Sequence, residues 1–282
     1  MSDPFKLTGP TCLSCSGGRS SACLLWRVLQ ANTPEDIARW LVVLFCNTGK
    51  EREATLRFVR DCGAHWGVAI VWLEYRPGSK FAIVDFETAS RAGEPFDAII
   101  TQRGHILPNM RSPYCSSELK TRTMHRYLRS VGVNEWDTFI GIRADEPIRV
   151  SKFRANPSPE TRSEEIYMPL AEAGITASMV GDFWRAQPFD LGLPNHNGTT
   201  PEGNCDLCFK KAGAKLVSII SARPESAVWW AEKEAFATKY ATGDGCRFRI
   251  DRPGYAAMAA FARDQVDAFD KTEHDISCFC GD

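Results

Sequence analysis

The feature that most constrains the fold is an alternation of two hydrophobic periods along the first half of the chain. An apolar stretch ending at Cys15 runs into Ser16-Gly17-Gly18-Arg19-Ser20-Ser21, and a helical pattern through Leu24, Leu25 and Trp26 follows. "WLVVLFC" then reads as a strand buried on both faces, the stretch after "NTGK" as a helix with Leu56, Val59 and Trp66 at helical spacing, and "VAIVWLEY" as a third strand. Asn32 or Thr33 can cap the short helix that begins near Pro34. "LKTRTMHRYLRSV" places Met124, Tyr127, Leu128 and Val131 on one helical stripe, before "WDTFIGIR" returns to a strand. Parallel strands need crossover connections, so this order predicts an α/β fold: a doubly wound parallel sheet with helices on both faces.

In such sheets ligands bind beyond the carboxyl ends of the strands, and "SCSGGRSS" and "NTGKE" both fall there. A Ser-Gly-Gly turn entering a helix offers backbone N–H groups, hydroxyls and a helix N-terminus, all of which stabilise an anion. A purely structural strand-to-helix turn would use similar residues. The nucleoside triphosphatase P-loop is excluded, because no Gly-Lys-Ser/Thr follows.

The net charge of −1 gives no global field for nucleic acid or an anionic membrane. Locally, six Lys/Arg face the single acid Glu118 between Arg103 and Arg129, which fits either a solvated helix face or an anion site. No apolar run reaches the roughly 18 residues of a membrane span, and the N-terminus lacks a signal peptide's regions. A cytoplasmic protein is expected, and its 11 cysteines should then be buried, metal-bound or reactive rather than paired as disulfides.

The loop resembles the S-G-G-x-D-S loop of the PP-loop superfamily, the adenine-nucleotide alpha hydrolases, with Ser20 in place of the usual Asp and Arg19 in place of a frequent Lys. "NTGKEREATLRFV", "SPYCSSELKTRTM" and "IGIRADEPIR" are similar, in order, to three further segments of the phosphoadenylyl-sulfate (PAPS) reductase family. The resemblance covers roughly residues 12 to 211. It implies an adenine-nucleotide alpha hydrolase-like fold in which Ser14, Ser16, Gly17, Gly18, Arg19, Ser20 and Ser21 line a phosphate site and Gly49 lies near the nucleotide. Lys120, Arg143 and Arg149 would meet phosphate or sulfate charge, and a guanidinium fork suits a tetrahedral oxyanion. Lys120 can equally be a solvated helix residue, and Arg143 an ion-pair partner of Asp145 or Glu146.

Cys205 and Cys208 form a C-x-x-C pair, which zinc, an iron-sulfur cluster and a redox dithiol all use. By resemblance to iron-sulfur adenylyl-sulfate reductases, Cys115, Cys205 and Cys208 would be three ligands of a 4Fe-4S cluster. Tyr114 stands where a neighbouring Cys is usual, so the fourth ligand would be Cys280, Cys278, Cys246 or an exogenous group. The tail "EHDISCFCGD" has a rival role: Cys278 or Cys280 as the thiol that attacks a sulfonate. Cys12, Cys15, Cys23, Cys46 and Cys62 read as small core residues. His105 and His125 read as structural or surface groups.

Residues 1–150 are expected to form the nucleotide-binding core. Residues 151–282 are expected to be a loop-rich, then helical region carrying the C-x-x-C and the Cys tail, with a flexible or lid-like stretch between Ser151 and Gly203. Met258, Phe261 and Phe269 are expected on one side of a late helix, and Trp229 and Trp230 in packing rather than base stacking. The function implied is reduction of adenylyl sulfate or PAPS to sulfite with a thioredoxin-like reductant. The alternatives are ATP-dependent adenylation and sulfur transfer to a nucleic acid or other acceptor, with magnesium as companion of ATP, and a non-catalytic nucleotide or redox sensor. Nucleic acid is the less favoured partner, given the neutral charge.

Overall fold

The computed structural model describes residues 3–158, 160–195 and 200–272. The chain divides into two compact units: one holds the stretch up to Gln102 together with Pro113–Asp206, and the other Arg103–Ser112 together with the chain from Leu207 on.

The first unit is built on β1 (Thr11–Cys15), α1 (Arg19–Ala31), α2 (Pro34–Trp40), β2 (Leu41–Asn47), α3 (Glu53–Trp66), β3 (Ile70–Glu74), β4 (Ala82–Val84) and α4 (Glu94–Gln102). It continues through α5 (Tyr114–Ser116), a π-helical turn (Ser117–Thr121), α6 (Arg122–Ser130), β5 (Trp136–Ile140), α7 (Pro147–Ala155), β6 (Glu164–Tyr167), α8 (Pro169–Glu172) and α9 (Ala177–Arg185). The sheet order is β4-β3-β2-β1-β5-β6. Five strands are parallel, with Thr11 opposite both Leu41 and Asp137, and β4 pairs antiparallel to β3 at the edge. The expected parallel sheet is therefore mixed at one margin, where a three-residue strand is too short to leave a periodic trace.

Strand residues alternate between two apolar layers, as period 2 requires. Leu13, Val43, Phe45, Trp72 and Phe139 join α1 and α3 on one face, while Cys12, Leu44, Cys46 and Leu73 join Met124 and Leu128 on the other. Each fully buried Leu or Phe contributes roughly 1.5–3 kcal/mol relative to exposure. Helix ends follow local chemistry. The Thr33 hydroxyl accepts from Asp36 N at 3.2 Å to start α2, and α3 stops at Gly67 (φ +62°). Asn32 ends α1 by donating to Val28 O and Phe5 O, both at 2.8 Å, and accepting from Leu7 N at 2.9 Å.

Two expectations need correction. Val131 lies beyond the end of α6 and is 51% exposed, so it leaves the Met124–Leu128 stripe. The stretch from Ser151 to Gly203, expected to be loop-like, carries most of α7 and all of β6, α8 and α9. Its strand "EEIY" is short and half polar, which hides it among turn residues.

The second unit contains α10 (Gly213–Ala222), α11 (Ser226–Ala237) and α12 (Tyr255–Thr272). Its centre is Trp230, fully buried against Phe248 and Tyr255. Tyr255 donates its hydroxyl to Leu207 O at 2.7 Å. Buried Glu234 accepts from Tyr255 N at 2.9 Å, and burial pushes its carboxyl above the usual range despite that bond. The Trp pair belongs to packing. The inward stripe of α12 is Tyr255, Met258 and Ala262, whereas Phe261 is 52% exposed, so the expected grouping of Met258 with Phe261 was out of phase; the Phe269 side chain lies outside the described residues.

Candidate functional site

The parallel strands run outward in opposite directions of chain order from β1, so the junction of β1 and β5 is the topological switch point. Beyond it lies a cavity of about 490 Å³ lined by Ser14, Ser16, Gly18, Ser20, Gly141 and Arg143, among others. Gly17 makes the turn, with φ +72°, and a Cβ there would lie 2.5 Å from Thr55 Cγ2. Gly18 is the N-cap of α1, without a side-chain cap and with no acid in the first turn, so the positive helix end faces the cavity unopposed by a local carboxylate.

Ser21 holds the turn together. Its hydroxyl accepts from Ser16 N at 3.1 Å, donates to Gly18 O at 2.9 Å and lies 3.0 Å from Ser16 Oγ. Burial raises the thiol of Cys15 against the opposing bonds of Gly17 and Ser21, so this cysteine is a packed residue and no nucleophile near neutral pH. Gly141, at the end of β5, lets the strand meet α1: a Cβ there would be 2.8 Å from both Ser21 N and Cα.

Arg143 donates from Nη1 to Ser20 Oγ at 2.9 Å and from Nε to Asp145 at 2.9 Å, and lies 3.6 Å from Glu146. It thus joins the cavity and keeps its local ion pair. Burial raises the Asp145 carboxyl, but the Ala177 N–H and the Arg143 guanidinium outweigh it and hold it below the usual value. Arg149, 59% exposed, also borders the cavity and pairs with Glu146 at 2.5 Å. The two guanidiniums are matched by Asp145 and Glu146, and a helix N-terminus beside guanidinium forks is a geometry that suits a phosphate or sulfate group.

Arg19 also lines the cavity, with its side-chain donors engaged on the segment after α9. It forks onto Asp190, with Nε to Oδ1 at 2.7 Å and Nη2 to Oδ2 at 2.5 Å, and donates to Thr200 Oγ1 and Leu193 O, both at 3.0 Å.

Gly49 and Lys120 are brought to the end of β2 rather than to this cavity. Gly49 (φ +75°) packs on Gly93, whose N would be 2.8 Å from an added Cβ. Lys120, on the π-helical turn, lies 3.6 Å from Glu51, whose other oxygen accepts from the Thr48 N–H and hydroxyl, both at 2.8 Å. Cys205 joins this group: it bridges Glu51 through the backbone, and its Sγ is 3.4 Å from Thr48 Oγ1.

Cys115 is half-buried on α5, and Cys208 is half-buried in the second unit, while Cys278 and Cys280 lie outside the described residues. Among the described residues no three His, Cys, Asp or Glu side chains are grouped as metal ligands, and Cys205 Sγ is engaged with Thr48. Cys246 is half-buried and accompanies Gly243 O at 3.2 Å.

Of the basic stretch, Arg122 and Arg126 both pair with Glu118, at 2.8 and 3.2 Å. His125 is buried, 3.1 Å from Glu164. His105 meets Phe236 edge-on and Tyr240 at a tilt in the second unit. Sequence reasoning overlooked Gly141, Asp190 and Thr200 as parts of the site. The strand-end glycine in "IGIR" carried a signal, but Asp190 and Thr200 lie too far along the chain for any local pattern to connect them to Arg19.

Fold and site together define a doubly wound α/β protein with a cavity at its switch point, bordered by the α1 N-terminus and by Arg143 and Arg149. Residues 10–171 match the phosphoadenosine phosphosulfate reductase domain family, and the chain belongs to it. Among the curated proteins, it is 30% identical over 214 residues to the uncharacterized nin region protein ORF290 of Escherichia phage lambda, covering 72% of this chain and 67% of that one. Among solved structures, it is similar to a phosphoadenylyl-sulfate reductase from Candida auris, described as a phosphate complex, at 19% identity and a TM-score of 0.42. That match covers 67% of this chain and 81% of the other. Among the described residues, no helix is long and apolar enough to cross a membrane.

Proposed function

We propose that the chain is a cytoplasmic enzyme that binds an adenylyl nucleotide at the Ser16–Ser21 loop and reduces adenylyl sulfate or PAPS to sulfite. The observation that carries this reading is the meeting, in one cavity, of the α1 N-terminus at Gly18, the close approach made by Gly17 and Gly141, and Arg143 Nη1 at 2.9 Å from Ser20 Oγ. These groups would stabilise the negative charge that builds on the leaving phosphate. A cysteine thiolate, for which Cys278 or Cys280 is our assignment, attacks the sulfonate sulfur. The S–S bond forms as the S–O bond breaks, and AMP or its 3′-phosphorylated form leaves with the electron pair. A thioredoxin-like dithiol then reduces the Cys–S–SO₃⁻ intermediate, is itself oxidised to a disulfide, and releases sulfite and the enzyme thiol. Lys120 is assigned to charge at the end of β2, and Arg149 to the cavity rim.

The Gly17-Gly18 pair favours a second reading, because ATP-using members of the superfamily carry that loop: ATP adenylates an acceptor, and a sulfur donor completes the exchange. Protein purified without oxygen is incubated with adenylyl sulfate, PAPS or ATP and a dithiol, with iron and sulfide measured in the same preparation. Sulfite release with a sulfated nucleotide supports the first reading, and AMP plus pyrophosphate from ATP the second. Binding without turnover leaves a nucleotide sensor.

A further inference from the structure

Arg19 occupies the variable position inside the phosphate loop, yet its side chain is 9% exposed and its donors are directed away from the loop's own hydroxyls. Three of its nitrogens make four hydrogen bonds, all to Asp190, Leu193 and Thr200. Its carbonyl accepts from Trp184 Nε1 at 2.9 Å, which fixes the backbone at the start of α1 as well. A lysine could not reproduce this pattern, since its single ammonium cannot fork across a carboxylate. Burial raises the Asp190 carboxyl, but the guanidinium and the Leu191 and Gly192 N–H groups outweigh it and keep it below the usual value.

The segment that Arg19 holds is a wall of the cavity, which Leu191, Asn195, Thr200 and Asn204 line. Its far end is fastened in the same way. Lys50 lies 3.5 Å from Asp206, Arg52 lies 2.6 Å from Glu202, and Asp206 N donates to Lys50 O at 2.8 Å. Arg19 at the start of α1 therefore holds Asp190, Leu193 and Thr200, while Lys50 and Arg52 after β2 hold Asp206 and Glu202. Asn204, beside these contacts, lies at φ +60°, a left-handed conformation that asparagine adopts more readily than most non-glycine residues.

We infer that Arg19 is a positioning residue: its charge is committed to Asp190, and it sets the cavity wall that bounds the nucleotide instead of contacting the phosphate. This rests on the nucleotide reading of the cavity. The opposite role, a direct phosphate ligand, makes a contrary prediction, because removing the Asp190 charge would then release a cation for the anion and tighten binding.

The test is a double-mutant cycle of Arg19→Lys and Asp190→Asn, read by calorimetric titration with adenylyl sulfate and by hydrogen exchange over residues 189–195. Each single variant is expected to weaken binding about tenfold, equivalent to ~1.4 kcal/mol. The double variant is expected to add little, because both substitutions remove one interaction. Exchange over 189–195 should quicken in all three. Unchanged or tighter binding in Asp190→Asn overturns the inference, as does unchanged exchange. If the wild-type protein binds no nucleotide, the functional reading fails, while the exchange arm still decides whether Arg19 holds the segment. If Arg19→Lys does not fold, Asp190→Asn alone separates the two roles.

Discussion

Substituting Gly17 by alanine tests the loop at its tightest point. The residue is at φ +72°, which costs an L-residue about 1–2 kcal/mol. The new methyl would stand 2.5 Å from Thr55 Cγ2, against the ~3.5–4.0 Å of ordinary carbon contact, with Phe45 Cε2 and Val59 Cγ2 each at 3.3 Å closing the alternatives. Such overpacking costs about 1–3 kcal/mol. The sum, ~2–5 kcal/mol, is a large share of the ~5–15 kcal/mol that holds a typical domain together. Thr55→Ser removes the obstructing methyl, at a cost of its own near 0.5–1.5 kcal/mol. In the double variant the alanine methyl occupies the vacated space, so only the backbone cost of ~1–2 kcal/mol should remain. Equilibrium urea unfolding of the four proteins gives the cycle. A Gly17→Ala loss below ~0.5 kcal/mol, or additive losses in the double variant, would refute this reasoning.

Glu164 offers a pH test. Burial raises its carboxyl, but the His125 imidazole 3.1 Å away and the Thr138 hydroxyl, which donates at 2.7 Å, outweigh this and leave its pKa below the usual value. Its contribution is therefore present above the unfolded pKa of about 4.3 and is lost as pH falls through the depressed folded value. Glu164→Gln should cost about 1–3 kcal/mol at pH 7 by urea unfolding, and the difference should shrink below pH 4; a constant difference down to pH 2 would contradict the assignment. Thiol alkylation of the native protein at pH 8 should spare Cys12, Cys15, Cys23, Cys46 and Cys62, all buried, with burial pushing Cys23 up to about 11 and Cys46 up to about 12. Peptide mapping should find label on half-buried Cys115, Cys208 and Cys246, and native labelling of Cys46 would contradict the packing described.

The parts of this protein that could be read in the sequence are those whose physics is local. β1, β2 and β3 announce themselves because strands buried on both faces must be almost continuously apolar, and the Ser-Gly-Gly turn because close backbone approach at a helix start needs glycine. β4 and β6 escaped notice because three or four residues, some of them polar, leave no period to detect. Arg143 could be placed in competition with Asp145 and Glu146, since those partners lie two and three residues away, and the structure gives it both these and Ser20. Arg19 could not be paired with Asp190, 171 residues further on, because only the folded chain brings them together. The phase of α12 was misjudged because small alanines, Ala262 among them, carry the buried face as readily as Phe or Met.

The proposed function requires a nucleotide to be held where α1 begins and Arg143 reaches Ser20. Calorimetric titration of adenylyl sulfate, PAPS and ATP into the oxygen-free protein and its Arg143→Ala variant tests this most directly. Saturable binding of at least one nucleotide, weakened about tenfold or more by loss of the guanidinium, is the predicted result, in keeping with a charge-assisted bond worth roughly 1.5–3 kcal/mol. Equal affinity in the two proteins, or no binding by the wild type, would contradict it.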